Sequence, residues 1–200
     1  MRIIILIDFI IQVRFKLLGF EGKILTMVFP CNVLACLAMI LSYYPNLSAT
    51  TSHAIIQLWL IYLILPILAL MEPDFSDSVL YGEIPYFYVH HVFLMIFPFY
   101  YLYTNKVTMI QSANLQWIIL SGAFFGFMYI TLVTPLAIVS GLNLNYMLHP
   151  PLGFPFDGPH YRIYSIGFFW SMFAITRILL VGLEMMMSWR KRKNSFLKFQ

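Results

Sequence analysis

Cys31 and His91 are the residues whose types and placement could do chemistry together. A free thiol is mostly protonated near neutral pH, and a neighbouring imidazole can accept its proton to make a thiolate nucleophile. Attack on an ester would leave a thioester, and the same imidazole, once protonated, can donate to the departing alcohol. Pro30 removes one backbone donor beside Cys31, and Asn32 adds a polar side chain on the other side. Ionisable groups inside apolar segments are rare and costly, so His91, with His90 next to it, favours a functional reading. Cys31 alone also reads as a packed residue. With Ala35, Ala38 and Ser42 it forms a small-residue stripe at helical spacing that permits close helix packing. Cys36 falls on a different face and is not its partner.

The elements that must position these residues are membrane helices. Apolar residues make up 61% of the 200-residue chain and charged ones only 10%, a balance that suits lipid-exposed surface. Crossing the hydrocarbon core takes roughly 20 apolar residues as a helix. Six such segments are predicted, over residues 3–20, 24–44, 54–71, 79–103, 115–140 and 164–189. The first is interrupted by Asp8, Arg14 and Lys16. The runs are too long and alternate too little for barrel strands. The expected fold class is therefore all-α, a polytopic membrane bundle of about six helices forming one domain over residues 1–200. Residues 3–11 resemble a signal-peptide core but lack a small-residue cleavage site, so the segment is kept. Two cysteines are too few for a disulfide framework.

The formal charge of +4 is no nucleic-acid signature, because much of it sits in Arg190, Lys191, Arg192 and Lys193. That cluster reads as a basic tail over residues 190–200, expected to be cytoplasmic. Counting back places the acidic connection 72–83 and the connection 141–161 on the opposite side. Arg14, Lys16 and Lys23 then also fall there, against the usual bias of positive charge. The 141–161 connection carries Pro150, Pro151, Pro155 and Pro159, which forbid a regular helix, and a long aromatic-rich loop of this kind tends to be functional.

Relative depth does not depend on orientation. The second and fourth segments start from the same face. Cys31 lies seven residues after Ile24 and His91 eight after Glu83, so both are expected about 10 Å inside that face. The 141–161 loop would cover them. His149 and His160 could join Cys31 and His91 as metal ligands, though no close ligand spacing supports this. Arg177 and Glu184 share a face of the last helix and read as an internal ion pair. Arg162 could anchor its helix or hold a lipid phosphate.

Three stretches together resemble the transmembrane protein 164 family. They are Phe29-Pro30-Cys31-Asn32; Glu83-Ile84-Pro85-Tyr86-Phe87-Tyr88-Val89-His90-His91-Val92; and Asn143-Leu144-Asn145-Tyr146-Met147-Leu148 followed by Pro155-Phe156-Asp157-Gly158-Pro159 and Tyr161-Arg162-Ile163. Order and spacing match over most of the chain. The resemblance implies an acyltransferase that moves a polyunsaturated acyl group between phospholipids, into ether phospholipids, using a cysteine and a histidine. The family cysteine follows a proline, which matches Cys31. The family histidine precedes Val and follows Glu by eight residues, which matches His91 rather than His90. Family members carry polar neighbours around that histidine, a place His90 takes here. The architecture is also similar to that of the androgen-induced family of membrane hydrolases, which use Thr in place of Cys. Family chains generally carry a further N-terminal helix, so a shorter N-terminus is expected here.

The resulting expectation is acyl transfer with Cys31 as nucleophile and His91 as base. Asn32, His90, Asn143, Asn145, Tyr161 and Arg162 are expected to contact phospholipid and lysophospholipid substrates. No metal or coenzyme A is called for, since the donor is already an ester. Lipid synthesis points to the endoplasmic reticulum. Two other readings stay open: a lipid-ester hydrolase using the same two residues, and a non-enzymatic lipid-binding or transport protein in which Cys31 is merely packed.

Overall fold

The computed structural model describes residues 1–44, 46–105, 115–150 and 158–197. Lys106, Pro151, Pro155, Phe156 and Asp157, and the side chains of Trp189 and of Arg190, Lys191, Arg192 and Lys193, lie outside the described residues. Among the described residues all regular structure is helical: α1 (Arg2–Leu18), a 3₁₀ stretch (Lys23–Val28), α2 (Pro30–Tyr43), α3 (Ala49–Tyr62), α4 (Ile64–Met71), α5 (Glu83–Asn105), α6 (Leu115–Met128), a π-helical turn (Tyr129–Val133), α7 (Thr134–Ser140), a short 3₁₀ turn (Leu144–Tyr146) and α8 (Tyr161–Leu197). Helices α3 and α4 form one column, as do α6, the π turn and α7, so the expected helical membrane bundle stands.

Three columns, Ala49–Met71, Leu115–Ser140 and Tyr161–Met186, are long and apolar enough to cross a membrane. Helix α5 has 23 residues and hence roughly 35 Å of length at helical rise, but carries Glu83, His90 and His91. The second segment differs from the sequence expectation. The helix starts only at Pro30, and residues 23–28 form a tighter 3₁₀ stretch. Proline at the first helical position loses no intrahelical bond and its φ is preset, so it begins the helix rather than kinking it. Cys31 therefore sits in the first turn of α2, not mid-helix.

Helix α1 shows the polarity of a membrane protein directly. Ile3, Ile7 and Ile10 are exposed, whereas Ile5, Asp8, Gln12 and Phe15 are buried on one face. Apolar groups face out and polar groups face in, because lipid solvates isoleucine and cannot solvate a carboxylate. The core centres on α3, where Ile56, Trp59, Leu60 and Ile61 are fully enclosed. Trp59 Nε1 donates to the Leu94 carbonyl of α5 at 3.1 Å, and Tyr62 Oη to the Ser121 carbonyl of α6 at 2.6 Å. Such bonds fix helices against one another where the hydrophobic drive between them is weak. Helix α8 packs on α3 and α6. Gly122 permits the α6 contact, since a Cβ there would lie 2.4 Å from Trp170 Cζ2.

One end of the bundle is tied by charge. Lys23 is wholly buried and pairs with Glu83, and Lys16 lies 3.8 Å from Asp77. The other Glu83 carboxylate oxygen accepts from the Val79 and Leu80 amides at 3.1 and 3.3 Å. The lysines that ran against the positive-charge bias are thus matched by acids of the 72–83 connection. The described residues 141–150 of the next connection reach the same end. Leu144 is buried among Leu25, Val28 and Phe29, and Tyr146 Oη donates to Asp74 at 3.0 Å.

Candidate functional site in the polar cluster of α1, α2 and α5

Beside Cys31 the bundle encloses a continuous set of polar side chains. His90 Nδ1 donates to the Asp8 carboxylate, 3.0 and 3.1 Å from its two oxygens. Tyr86 Oη donates to Asp8 Oδ1 at 3.0 Å and to the Asp8 carbonyl at 2.7 Å. With Nδ1 carrying the proton, His90 Nε2 is an acceptor, and the Gln12 amide lies 3.4 Å from it. That amide also donates to Asn32 Oδ1 at 2.5 Å, and Asn32 Nδ2 donates to the Thr26 carbonyl at 2.6 Å. Asp8, Gln12, Asn32, His90 and His91 are all buried. Gln12 Oε1 has no partner among the described residues, so the cluster holds one unsatisfied acceptor.

Cys31 and His91 flank this network without being joined by it. Asn32, the neighbour of Cys31, and His90, the neighbour of His91, bond the same Gln12 amide. Among the described residues no hydrogen bond links Cys31 to His91. Cys31 is half-buried at the head of α2 and packs on the main core. Its amide and that of Asn32 belong to the first turn, whose N–H groups have no intrahelical acceptors and favour negative charge nearby. His91 Nδ1 donates to the Phe87 carbonyl at 2.7 Å, and its ring stacks on Phe87 with centroids 4.1 Å apart. That bond fixes the tautomer and leaves Nε2 as the basic nitrogen.

The loop candidates are occupied by the loop itself. Asn143 Oδ1 accepts from the Leu148 and His149 amides at 2.8 and 2.9 Å, and its Nδ2 donates to the His149 carbonyl at 3.0 Å. Asn145 and Tyr146 both adopt left-handed backbone, φ 46° and 62°, a conformation asparagine tolerates better than most residues. Tyr161 Oη and Arg162 Nη2 donate to the Met147 carbonyl at 3.2 and 2.6 Å, tying the start of α8 to the loop. The guanidinium of Arg162 stays exposed. No group of three or more His, Cys, Asp or Glu side chains is gathered as a metal ion would need, among the described residues; the set of Cys31, His91, His149 and His160 does not assemble there.

Sequence reasoning passed over Gln12 and read Asp8 only as an interruption of a weak span. Their signal was present. Ile5, Asp8, Gln12 and Phe15 fall on one helical face, and an acid on the inward face of a membrane helix is a functional candidate by default. Outside the loop, Asp74 is exposed and its carboxyl is held below the usual carboxylate range, first by the Ser76 hydroxyl, then by the Ser76 amide. Burial, together with the bond to Asp74, pushes the Tyr146 phenol up to about 12.

Comparison with known proteins bears on the whole chain. The sequence profile of the TMEM164 family matches residues 3–194. A transmembrane protein 164 homolog of Dictyostelium discoideum is 24% identical over 201 residues, covering 98% of this chain and 68% of that protein. No solved structure matches.

Proposed function

The chain belongs to the TMEM164 family, and on that premise we propose that it is a membrane phospholipid acyltransferase. It moves a polyunsaturated acyl group from a diacyl phospholipid to a lyso ether phospholipid through a thioester on Cys31. The observation that carries this reading is the shared Gln12 amide, which places the neighbours of Cys31 and of His91 in one buried polar cluster. Burying such a cluster in an apolar bundle is costly, the more so with Gln12 Oε1 left unpaired, and polar groups inside membranes concentrate at functional sites.

The steps follow from the groups present. His91 Nε2 takes the thiol proton as the Cys31 sulfur attacks the donor ester carbonyl, forming the S–C bond and moving the carbonyl π pair onto oxygen. Collapse breaks the C–O bond, and the leaving lysophospholipid oxygen takes the proton from His91. The acceptor hydroxyl then gives its proton to His91 and attacks the thioester. The S–C bond breaks, and the thiolate recovers the proton. His90, oriented by Asp8, and Asn32 hold the cluster. Arg162, exposed and bonded to the loop at the Met147 carbonyl, is the proposed cation for a phosphodiester, with Tyr161, Asn143 and Asn145 shaping that rim. Burial within lipid keeps water from the thioester. The endoplasmic reticulum, where phospholipids are assembled, is the proposed compartment.

Lipid analysis of cells expressing the chain, its Cys31→Ala form or its His91→Ala form tests this. The parent chain is expected to raise polyunsaturated ether phospholipids with a matching donor-derived lysolipid, and neither variant to do so. Full transfer by an equally expressed Cys31→Ala form overturns the reading. Release of free fatty acid in place of acylated acceptor reassigns the same residues to hydrolysis.

A further inference from the structure

Tyr129 presents a feature that packing does not account for. Its hydroxyl is wholly buried and has no hydrogen-bond partner among the described residues. An unpaired buried hydroxyl is destabilising, and a phenylalanine of the same shape would avoid the penalty. Tyr129 also begins the π-helical turn, where the Thr134 amide donates to the Tyr129 carbonyl five residues back. Pro135 follows directly and supplies no N–H. Single π turns of this kind interrupt α-helices most often at functional sites.

The position of Tyr129 gives the hydroxyl a use. Its side chain lines a narrow apolar crevice between α2 and α6 together with Val28, Pro30, Leu34 and Phe125, with about 30 Å³ of free space. Pro30 adjoins Cys31, and Tyr129 lies within electrostatic reach of the Cys31 thiol. The crevice walls are almost wholly apolar, so the Tyr129 hydroxyl is the donor at hand on the α6 side of the first turn of α2.

We infer that Tyr129 is a catalytic residue whose hydroxyl donates a hydrogen bond to the oxyanion formed when the Cys31 sulfur attacks an acyl ester. This rests on the acyl-transfer reading above. The hydroxyl keeps its proton throughout: the carbonyl π pair moves onto oxygen during attack, Tyr129 Oη–H bonds to that oxygen, and the bond loosens when the pair returns and the ester C–O bond breaks. A donor with no ground-state partner is preorganised, because no bond within the protein must break before it serves the transition state.

The test uses the full chain in liposomes, with a polyunsaturated diacyl phosphatidylcholine as donor and a 1-O-alkyl lysophosphatidylcholine as acceptor. Three forms are compared: parent, Cys31→Ala and Tyr129→Phe. Tyr129→Phe is expected to lower kcat about 100-fold, the loss typical of one oxyanion donor. The donor KM should change far less, the melting temperature should stay equal or rise, and maleimide should alkylate Cys31 at the parental rate. A Tyr129→Phe kcat close to that of the parent, with Cys31→Ala inactive, overturns the role of Tyr129 and leaves the acyl-transfer reading standing. A lowered melting temperature in Tyr129→Phe also overturns it, because the hydroxyl would then be making a structural bond. Full activity in Cys31→Ala overturns both.

Discussion

Asp8, Gln12, Asn32 and His90 join α1, α2 and α5 at one place in the bundle, whereas His53, Gln57 and Arg177 join α3 to α8 at another. Both sets are polar and both lie among apolar side chains, yet they are built differently. In the second, Arg177 is fully buried and donates to Gln57 Oε1 at 2.8 Å, the Gln57 amide lies 3.3 Å from His53, and Glu184 is within electrostatic reach of the guanidinium. A guanidinium is always charged and cannot pass a proton on. That arrangement fastens two helices. The first set holds the His90 imidazole on the Asp8 carboxylate and adjoins Cys31 and His91 along the chain, so groups that can change protonation state border it, whereas the second is centred on a fixed charge. On the proposed function, burying polar groups in lipid has two uses here, a clasp around Arg177 and a reactive cluster beside Cys31.

Removing one member of each set is the strongest way to break that comparison. Asp8→Ala strips His90 Nδ1 of its acceptor, and breaking a buried pair costs about 3 kcal/mol or more. Transfer per folded molecule should also fall at least about tenfold, since misdirected imidazoles lose general-base function. Arg177→Met removes the 2.8 Å bond to Gln57 Oε1, for about 1–3 kcal/mol, with transfer per folded molecule expected unchanged. Detergent unfolding and lipid-transfer rates normalised to folded protein measure both. Equal loss of normalised activity in the two variants would erase the distinction between clasp and cluster.

A smaller effect sharpens the structural half of the comparison. Helix α8 carries Arg177 and reaches α6 through Gly122. A Cβ at Gly122 would meet Trp170 at 2.4 Å, and a rigid indole yields little, so Gly122→Ala should destabilise by about 1–3 kcal/mol. Gly126 is four residues on, and a Cβ there meets nothing within 4 Å. Gly126→Ala should be neutral or stabilising, because alanine is the better helix former. Thermal unfolding of both variants decides it; equal melting temperatures would mean that α6 and α8 do not approach at Gly122.

Much of this architecture is legible in the sequence, because lipid imposes long apolar helices and little else survives there. Six segments read from hydropathy correspond to six helical columns among the described residues, three of them long and apolar enough to cross a membrane. The misplacement of the second came from Leu25 to Phe29, whose apolar types continue the hydropathy signal although their backbone is a 3₁₀ stretch and an extended residue. Hydropathy reports burial or lipid contact and is blind to the turn that Pro30 ends. The polar cluster was half legible. His90, His91 and Asn32 stand out as polar types in apolar runs, and so does Asp8, but no spacing within one segment reveals that α1 packs against α5. Tyr129 left no trace, since a tyrosine near a membrane helix end is ordinary and its unpaired hydroxyl is a property of packing alone. Asn143 shows what type alone leaves out: it suggests a substrate contact, and in the structure its side chain is engaged by the Leu148 and His149 backbone.

The loop that meets the acidic connection gives the smallest expected effect. Tyr146 donates to Asp74 at 3.0 Å, which requires a protonated phenol and favours an ionised carboxylate. Asp74 has its carboxyl lowered by Ser76, so what it contributes is present above the ordinary carboxylate range and fades as pH falls through its depressed value. Tyr146, raised to about 12 by burial and by Asp74, contributes fully below the ordinary phenol value of about 10 and loses that contribution as pH climbs through about 12. Between about pH 5 and pH 9 both groups keep their bonding forms. Tyr146→Phe should therefore cost about 0.5 kcal/mol or less at this exposed site, by the same amount across that window. Hydrogen exchange at the amides of Tyr146 and Met147 should quicken without any global loss of stability. A penalty that varies with pH inside the window would mean that a group other than Asp74 receives the Tyr146 hydroxyl. The loop would then be fastened to this end of the bundle by that group and by the packing of Leu144 among Leu25, Val28 and Phe29.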